Sequence, residues 1–82
     1  MLSGKLLGYS QFISKKTGVP YTNIHCSFND QNTHGFKSAS MLVKTQDVSN
    51  YNFELILKNP EKYSINFLWA NGSYYFGSIT EV

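Results

Sequence analysis

The stretch SKKTGVPYTNI, residues 14–24, carries the side chains that are best suited to bind a ligand. Two adjacent lysines, Lys15 and Lys16, precede the turn pair Thr17-Gly18, and Tyr21 follows among polar neighbours. Ammonium groups attract anions, and a tyrosine ring offers a flat surface for stacking. This spacing suits a partner that is both flat and negatively charged. The alternative is a tyrosine that only packs across a strand, on Gln11 or Tyr9, next to lysines that only solvate a turn.

The composition of the chain sets limits on its size class and its partners. The 82 residues include seven lysines, no arginine and five acidic residues, which gives a net charge of +2. This length predicts one domain, residues 1–82. The mild positive charge permits a polyanionic partner without requiring one. Without arginine, any contact to phosphate would come from lysine acting as a point charge.

Cysteine content and hydropathy indicate the compartment. Cys26 is the single cysteine, so no intramolecular disulfide can form, and a lone thiol is typical of a reducing compartment. No apolar run approaches the roughly 18 to 20 residues of a membrane span, and the first residues lack the long apolar region of a signal peptide. We therefore expect a soluble, cytoplasmic protein with no membrane partner.

Residue types used in catalysis and metal binding occur without a supporting arrangement. The chain shows no carboxylate pair, no nucleophile beside a base and no glycine-rich phosphate loop. His25 and Cys26 are neighbours on a predicted strand, so their side chains diverge, and His34 lies alone in a loop. We expect no enzyme activity, no metal site, no cofactor and no small-molecule substrate.

The binding stretch joins two predicted strands. Residues 4–13 are rich in β-forming side chains, and the polar turn at residues 14–18 separates them from a second run at residues 19–28. Strand side chains alternate between faces. The second run therefore directs Ile24, Cys26 and Phe28 into a core and Tyr21 to the other face.

A third predicted strand, residues 36–46, follows the polar loop at residues 29–35. Its apolar set is Ala39, Met41 and Val43, and the residues Ser38, Ser40, Leu42 and Lys44 lie on the opposite face. If the second and third runs pair, their polar faces form one surface that carries Tyr21, His25 and Lys44.

The segment at residues 48–58 fits two structures. Tyr51, Phe53, Leu55 and Leu57 alternate as in a strand, whereas the spacing of Val48, Tyr51, Leu55 and Lys58 suits a helix. We favour a short helix or turn that ends before Asn59-Pro60, because proline disfavours helix in the residue before it.

The C-terminal segment predicts a hairpin. Asn71-Gly72 suits the positive φ angles of a type I′ turn, which would place Trp69 opposite Tyr74 and Phe67 opposite Phe76. Such an aromatic ribbon must cover a core, meet a second subunit, or do both. Several short strands with turn signals and no long helix predict an all-β fold: a small five-stranded OB-type barrel with a protruding C-terminal hairpin.

Three short segments resemble a known family. They are SKKTGVPY at residues 14–21, LVK at residues 42–44 and FGS at residues 76–78, the last preceded by KYSINF. Their order and spacing are similar to those of the gene V family of filamentous-phage single-stranded DNA-binding proteins, and to small OB-fold proteins of phages and conjugative elements. The segments extend over most of the chain.

The resemblance implies an OB-type barrel, a two-fold homodimer and cooperative, largely sequence-independent coating of single-stranded DNA. It places such a protein in phage or mobile-element replication or transfer, in the cytoplasm of a bacterial host. By position, Tyr21 matches a stacking tyrosine, Lys44 a phosphate-contacting lysine, and Phe76 an aromatic near the dimer axis. Lys15 and Lys16 match a basic hairpin position. The chain departs from the family at Asn23, where the family has an apolar residue, in a longer loop after Cys26, and in its lack of arginine.

The implied mechanism is physical. Lysines would neutralise phosphates and release counterions, while aromatic rings would stack on unpaired bases. Further candidates for contact with the nucleic acid are Tyr9, His25, Lys37 and Tyr74, and the candidate dimer interface consists of Phe67, Trp69 and Tyr75. Two alternatives remain open: preference for single-stranded RNA, and a small β-barrel module whose aromatic hairpin binds another protein.

Overall fold

The computed structural model describes residues 1–82 and contains five antiparallel strands in one sheet. The strands are β1 (Leu2–Ile13), β2 (Pro20–Asn29), β3 (Phe36–Lys44), β4 (Tyr63–Ala70) and β5 (Ser73–Glu81). One helix, α1 (Phe53–Lys58), and two short 3-10 turns connect β3 to β4. The prediction of an all-β fold with little helix is confirmed.

The order of strands in the sheet is β3-β2-β1-β4-β5, so β1 belongs to both halves of the sheet. Residues 5–13 of β1 pair with β2, whereas residues 2–4 pair with β4. The sheet curls, and the two edge strands, β3 and β5, come within 8 Å of each other between Cα atoms. No ladder joins these two edges. The structure therefore shows a curled five-stranded sheet, and the closed barrel stays a prediction.

A buried glycine lies where β1 passes from one half of the sheet to the other. A Cβ atom added at Gly4 would clash with the backbone carbonyl oxygen of Ser27 and lie 3.2 Å from the Cβ of Phe28. Glycine is needed here because the backbones of β1 and β2 approach too closely for any side chain. Gly8, next to the β-bulge in the same strand, has open space at the equivalent position.

These two glycines provide a matched test of the bend in β1. We expect Gly4→Ala to lower the free energy of unfolding by about 1 to 3 kcal/mol, because backbone atoms of β2 must move. We expect Gly8→Ala to change it by less than about 0.5 kcal/mol. Urea unfolding followed by tryptophan fluorescence measures both. Equal stability of the two variants would show that β1 does not approach β2 as closely as described.

The core lies on the inner face of the curled sheet. The predicted inward set of β2, Ile24, Cys26 and Phe28, is buried, as are Ala39 and Met41 of β3, so the predicted facing of both strands is confirmed. The buried apolar residues of the whole chain are Leu6, Ile24, Cys26, Phe28, Ala39, Met41, Val48, Phe53, Ile56, Ile65, Phe67 and Ile79.

The ambiguous segment contains α1. The side chain of Asn52 accepts a hydrogen bond from the Leu55 N–H at 3.1 Å and thereby caps the first turn of the helix. Phe53 and Ile56 are buried, and the helix ends before Asn59-Pro60, as predicted. No helix in the structure combines the length and apolar content needed to cross a bilayer.

The C-terminal hairpin has the predicted turn. Asn71 and Gly72 have φ angles of 52° and 80°, and the register places Trp69 opposite Tyr74 and Phe67 opposite Phe76. The register then shifts between Asn66 and Phe67, where β5 contains a bulge.

Phe67, a residue of the predicted dimer interface, lies in the core instead. Its side chain has 0% exposure, and its ring lies 5.2 Å from Phe28 and 5.6 Å from Tyr74 between centroids. A side chain enclosed within its own subunit cannot contact a partner, so Phe67 is a core residue.

Candidate nucleic-acid interface

The three strands β1, β2 and β3 present a continuous solvent-facing surface. Side chains alternate between the two faces of a strand, so the residues whose side chains point away from the core share this surface. We call it the open face; its residues are Ser10, Phe12, Tyr21, Asn23, His25, Ser40, Leu42 and Lys44. The strand register places Tyr21 directly between Phe12 and Lys44. The predicted surface that carries Tyr21, His25 and Lys44 is confirmed.

Two aromatic rings stack at one end of the open face. The Phe12 and Tyr21 rings lie 6.0 Å apart between centroids with 25° between their planes. Phe12 is 47% exposed, so a broad apolar surface meets solvent beside the tyrosine ring. Sequence reasoning missed Phe12 and instead considered Gln11 and Tyr9 as cross-strand partners of Tyr21. Pairing the strands across the turn would have identified it.

Lysines lie on either side of this aromatic pair. Lys44 is exposed and pairs with Tyr21 across β2 and β3. Lys15 and Lys16 are exposed in the turn between β1 and β2, which is closed by a 2.9 Å hydrogen bond from the Ser14 N–H to the Val19 carbonyl. Positive charges therefore lie both on the turn beyond the ring pair and on the strand beside it.

Charge is unevenly distributed along the chain. Residues 1–44 contain five lysines and one acidic residue, whereas residues 45–82 contain two lysines and four acidic residues. The first segment thus has a net charge of +4 and the second −2. The acidic residue of the first segment, Asp30, lies in the loop between β2 and β3, so the three strands of the open face contain no acid. This asymmetry favours a polyanion at the open face.

The polar residues in the middle of the open face are partly paired with one another. The Nδ1 atom of His25 lies 2.8 Å from the Ser40 hydroxyl oxygen across β2 and β3.

Cys26 points to the opposite side of β2, into the core, and burial raises the pKa of its thiol to about 11. At neutral pH the thiol is therefore protonated, and it lies away from any ligand on the open face.

The other predicted contact residues lie elsewhere. Tyr9 is half-buried on the inner face, and its ring centroid lies 5.1 Å from that of Phe53. Phe76 is also half-buried, with its ring edge-on to Tyr51 and 6.0 Å between the centroids. Both pack towards the core, so the structure does not bring them to the open face. Lys37 lies at the far end of β3 from Lys44.

The β4–β5 hairpin carries the remaining candidate aromatics. Tyr74 is half-buried, and Trp69 and Tyr75 are each more than half exposed. Trp69 packs on Tyr74 on one side of the ribbon, while Leu68 and Tyr75 form a cross-strand pair on the other side. The two predicted interface aromatics that remain exposed therefore lie on opposite sides of the hairpin.

Comparisons with protein-family models, curated proteins and solved structures find no match to this chain. The open face combines a stacked ring pair, flanking lysines and uncharged polar groups. Proteins that bind unpaired nucleic-acid strands generally combine aromatic rings with positively charged groups in this way.

Proposed function

We propose that this protein binds and coats single-stranded DNA with little sequence preference. The observation that supports this proposal most strongly is the Phe12–Tyr21 pair beside Lys44 on a surface without acidic residues. Unpaired bases stack on exposed aromatic rings, and lysines attract the phosphates that connect those bases. Every base has a flat π-face, so this mode of binding tolerates any sequence.

The number of lysines limits the affinity of one subunit. Lys15, Lys16 and Lys44 can contact about three phosphates, which gives weak and moderately salt-sensitive binding by a single copy. We propose that a homodimer and contacts between neighbours on the strand supply the remaining affinity, because linked sites raise the effective concentration. The exposed Leu68–Tyr75 pair on the hairpin is the surface that we assign to self-association.

The salt dependence of binding tests the assigned lysines. For fluorescently labelled oligo-dT, we expect Lys44→Gln to reduce the slope of log affinity against log salt by about 0.7, the value for one lost phosphate contact on a single strand. Fluorescence anisotropy at several salt concentrations measures this slope.

Lysines outside the open face supply the control for this experiment. Lys58 is exposed at the end of α1, so Lys58→Gln removes the same charge from a different surface. We expect its slope to match that of the unmodified protein. Equal slopes for the two variants would mean that the open face does not contact phosphate.

The exposed apolar hairpin favours a second candidate function, binding of a protein partner. Leu68 and Tyr75 on one side of the hairpin and Trp69 on the other are each about half exposed, and exposed apolar side chains grouped on one element are typical of interaction sites. A protein-binding module would be indifferent to oligonucleotides and would lose its partner on substitution of Trp69 or Tyr75. The remaining alternative is a preference for RNA. Stacking and lysine contacts do not detect the 2′-hydroxyl, so this preference has to be measured directly, by a parallel titration with oligo-rU.

A further inference from the structure

A cleft lies between the beginning of β3 and the β4–β5 hairpin, whereas the Phe12–Tyr21 pair lies beside the other end of β3. Its volume is about 410 Å³, and it is lined by Leu2, Phe28, Asp30, Lys37, Trp69 and Tyr74. Four of these side chains are apolar and two are charged. This size and this mixture of lining groups are typical of a site for a small planar ligand.

The cleft connects to the open face around Trp69. A neighbouring cavity of about 440 Å³ shares Trp69 and Tyr74 with the cleft and is also lined by Ser40 and Leu42 of the open face. A single nucleic-acid strand that contacts Tyr21 and then runs along β3 would therefore reach Trp69 without passing an acidic side chain. The cleft is next on that path.

The aromatic wall of the cleft has one fixed ring and one accessible ring. Tyr74 is held by edge-on contacts with Phe28 at 5.8 Å and Phe67 at 5.6 Å between centroids. Trp69 packs on Tyr74 at 4.6 Å but remains 55% exposed. The indole is therefore supported on one side and free to stack on a ligand with the other.

Two groups of opposite charge lie beside this wall. The Asp30 carboxylate accepts a hydrogen bond from the Thr33 hydroxyl through Oδ2 at 3.1 Å, which orients the group and leaves Oδ1 as an acceptor. Lys37 supplies an ammonium group that attracts phosphate. A ligand that suits both has a flat ring, a hydrogen-bond donor on that ring and an anionic group attached to it. A nucleotide with an exocyclic amino group has all three features.

We infer that this cleft holds one unpaired base of the bound strand and prefers cytosine to thymine. The inference rests on the proposed function and adds a base preference to it. Cytosine presents its N4 amino group to a carboxylate acceptor. Thymine presents carbonyl oxygens on both sides of its single N–H donor, and these oxygens repel the carboxylate of Asp30. Lys37 contacts the phosphate and does not distinguish the two bases.

The test compares oligo-dC with oligo-dT of equal length, because both are flexible pyrimidine strands. Quenching of Trp69, the single tryptophan, reports occupancy of the cleft. We expect roughly three- to tenfold tighter binding of oligo-dC, as one base-edge hydrogen bond to a charged acceptor gives modest discrimination. Asp30→Asn is expected to remove this preference. Lys37→Ala is expected to weaken the binding of both oligonucleotides equally and to leave the ratio of their affinities unchanged.

The outcomes separate this inference from the function on which it rests. A dC preference that disappears in Asp30→Asn and accompanies Trp69 quenching supports the cleft. Binding that depends on Tyr21 but shows equal affinity for both strands, or no quenching of Trp69, overturns the cleft and leaves the open face as the binding site. No binding of either strand at low salt overturns both.

Discussion

Replacing Tyr21 by alanine is expected to weaken binding of an unpaired oligonucleotide by about 5- to 150-fold, which corresponds to the 1 to 3 kcal/mol of one aromatic–base stack. The tyrosine ring lies between Phe12 and Lys44 on the open face. Its removal takes away the stacking surface and also the support of the Phe12 ring, 6.0 Å away. The measurement is fluorescence anisotropy of labelled oligo-dT at fixed low salt.

Two further variants separate stacking from other effects of Tyr21. Tyr21→Phe keeps the ring and loses only the hydroxyl, so we expect an affinity within about twofold of the unmodified protein if stacking dominates. Phe12→Ala is expected to reduce affinity in the same direction as Tyr21→Ala. Because the two rings are in contact, the combined loss should fall short of the sum of the single losses. A Tyr21→Ala variant with unchanged affinity would exclude the open face as the stacking surface.

Phe67→Ala is expected to have the largest effect on stability. Removing a fully buried phenylalanine from a packed core costs about 3 to 5 kcal/mol, and a small domain has only about 5 to 15 kcal/mol in total. The Phe67 side chain has 0% exposure and contacts the rings of Phe28 and Tyr74. We therefore expect a large fall in the urea midpoint, with part of the population unfolded at room temperature.

The adjacent residue supplies the control for this core substitution. Leu68 follows Phe67 in β4 but is 48% exposed on the other side of the hairpin. Leu68→Ala is expected to weaken the self-association assigned to the Leu68–Tyr75 pair, but to reduce the stability of the monomer, measured at low protein concentration, by less than about 1 kcal/mol. Analytical ultracentrifugation distinguishes the core position of Phe67 in the structure from the predicted position at a dimer interface. A Phe67→Ala variant that stays stable and only loses self-association would restore this residue to a subunit interface.

Local patterns predicted much of this fold. The alternation in β2 and β3 identified which residues of these strands are buried, because one face of a half-buried strand must be apolar. Asn71-Gly72 fixed the register at the tip of the hairpin, because only a turn with positive φ angles at both positions connects the strands there. Asn59-Pro60 likewise indicated where α1 ends.

Contacts between distant segments account for what the sequence could not predict. The alternation in the hairpin predicted that Phe67 and Phe76 share one face. It could not predict that this face is covered by Phe28 and Tyr51, which come from distant parts of the chain. The bulge in β5 opposite Asn66 also shifts the register, and the isolated Gly77 within the strand pattern is the sequence signal that could have indicated it. Phe12 was missed because its pairing depends on the length of the turn after β1.

The most direct test of the central claim is an NMR titration of the ¹⁵N-labelled protein with unlabelled oligo-dT at low salt. The proposed function predicts that amide shifts change at Phe12, Tyr21 and Lys44, which adjoin one another across three strands, while the amides of α1 stay unchanged. Shifts confined to α1, or no shift at any residue at saturating oligonucleotide, would contradict the assignment of the open face to single-stranded DNA.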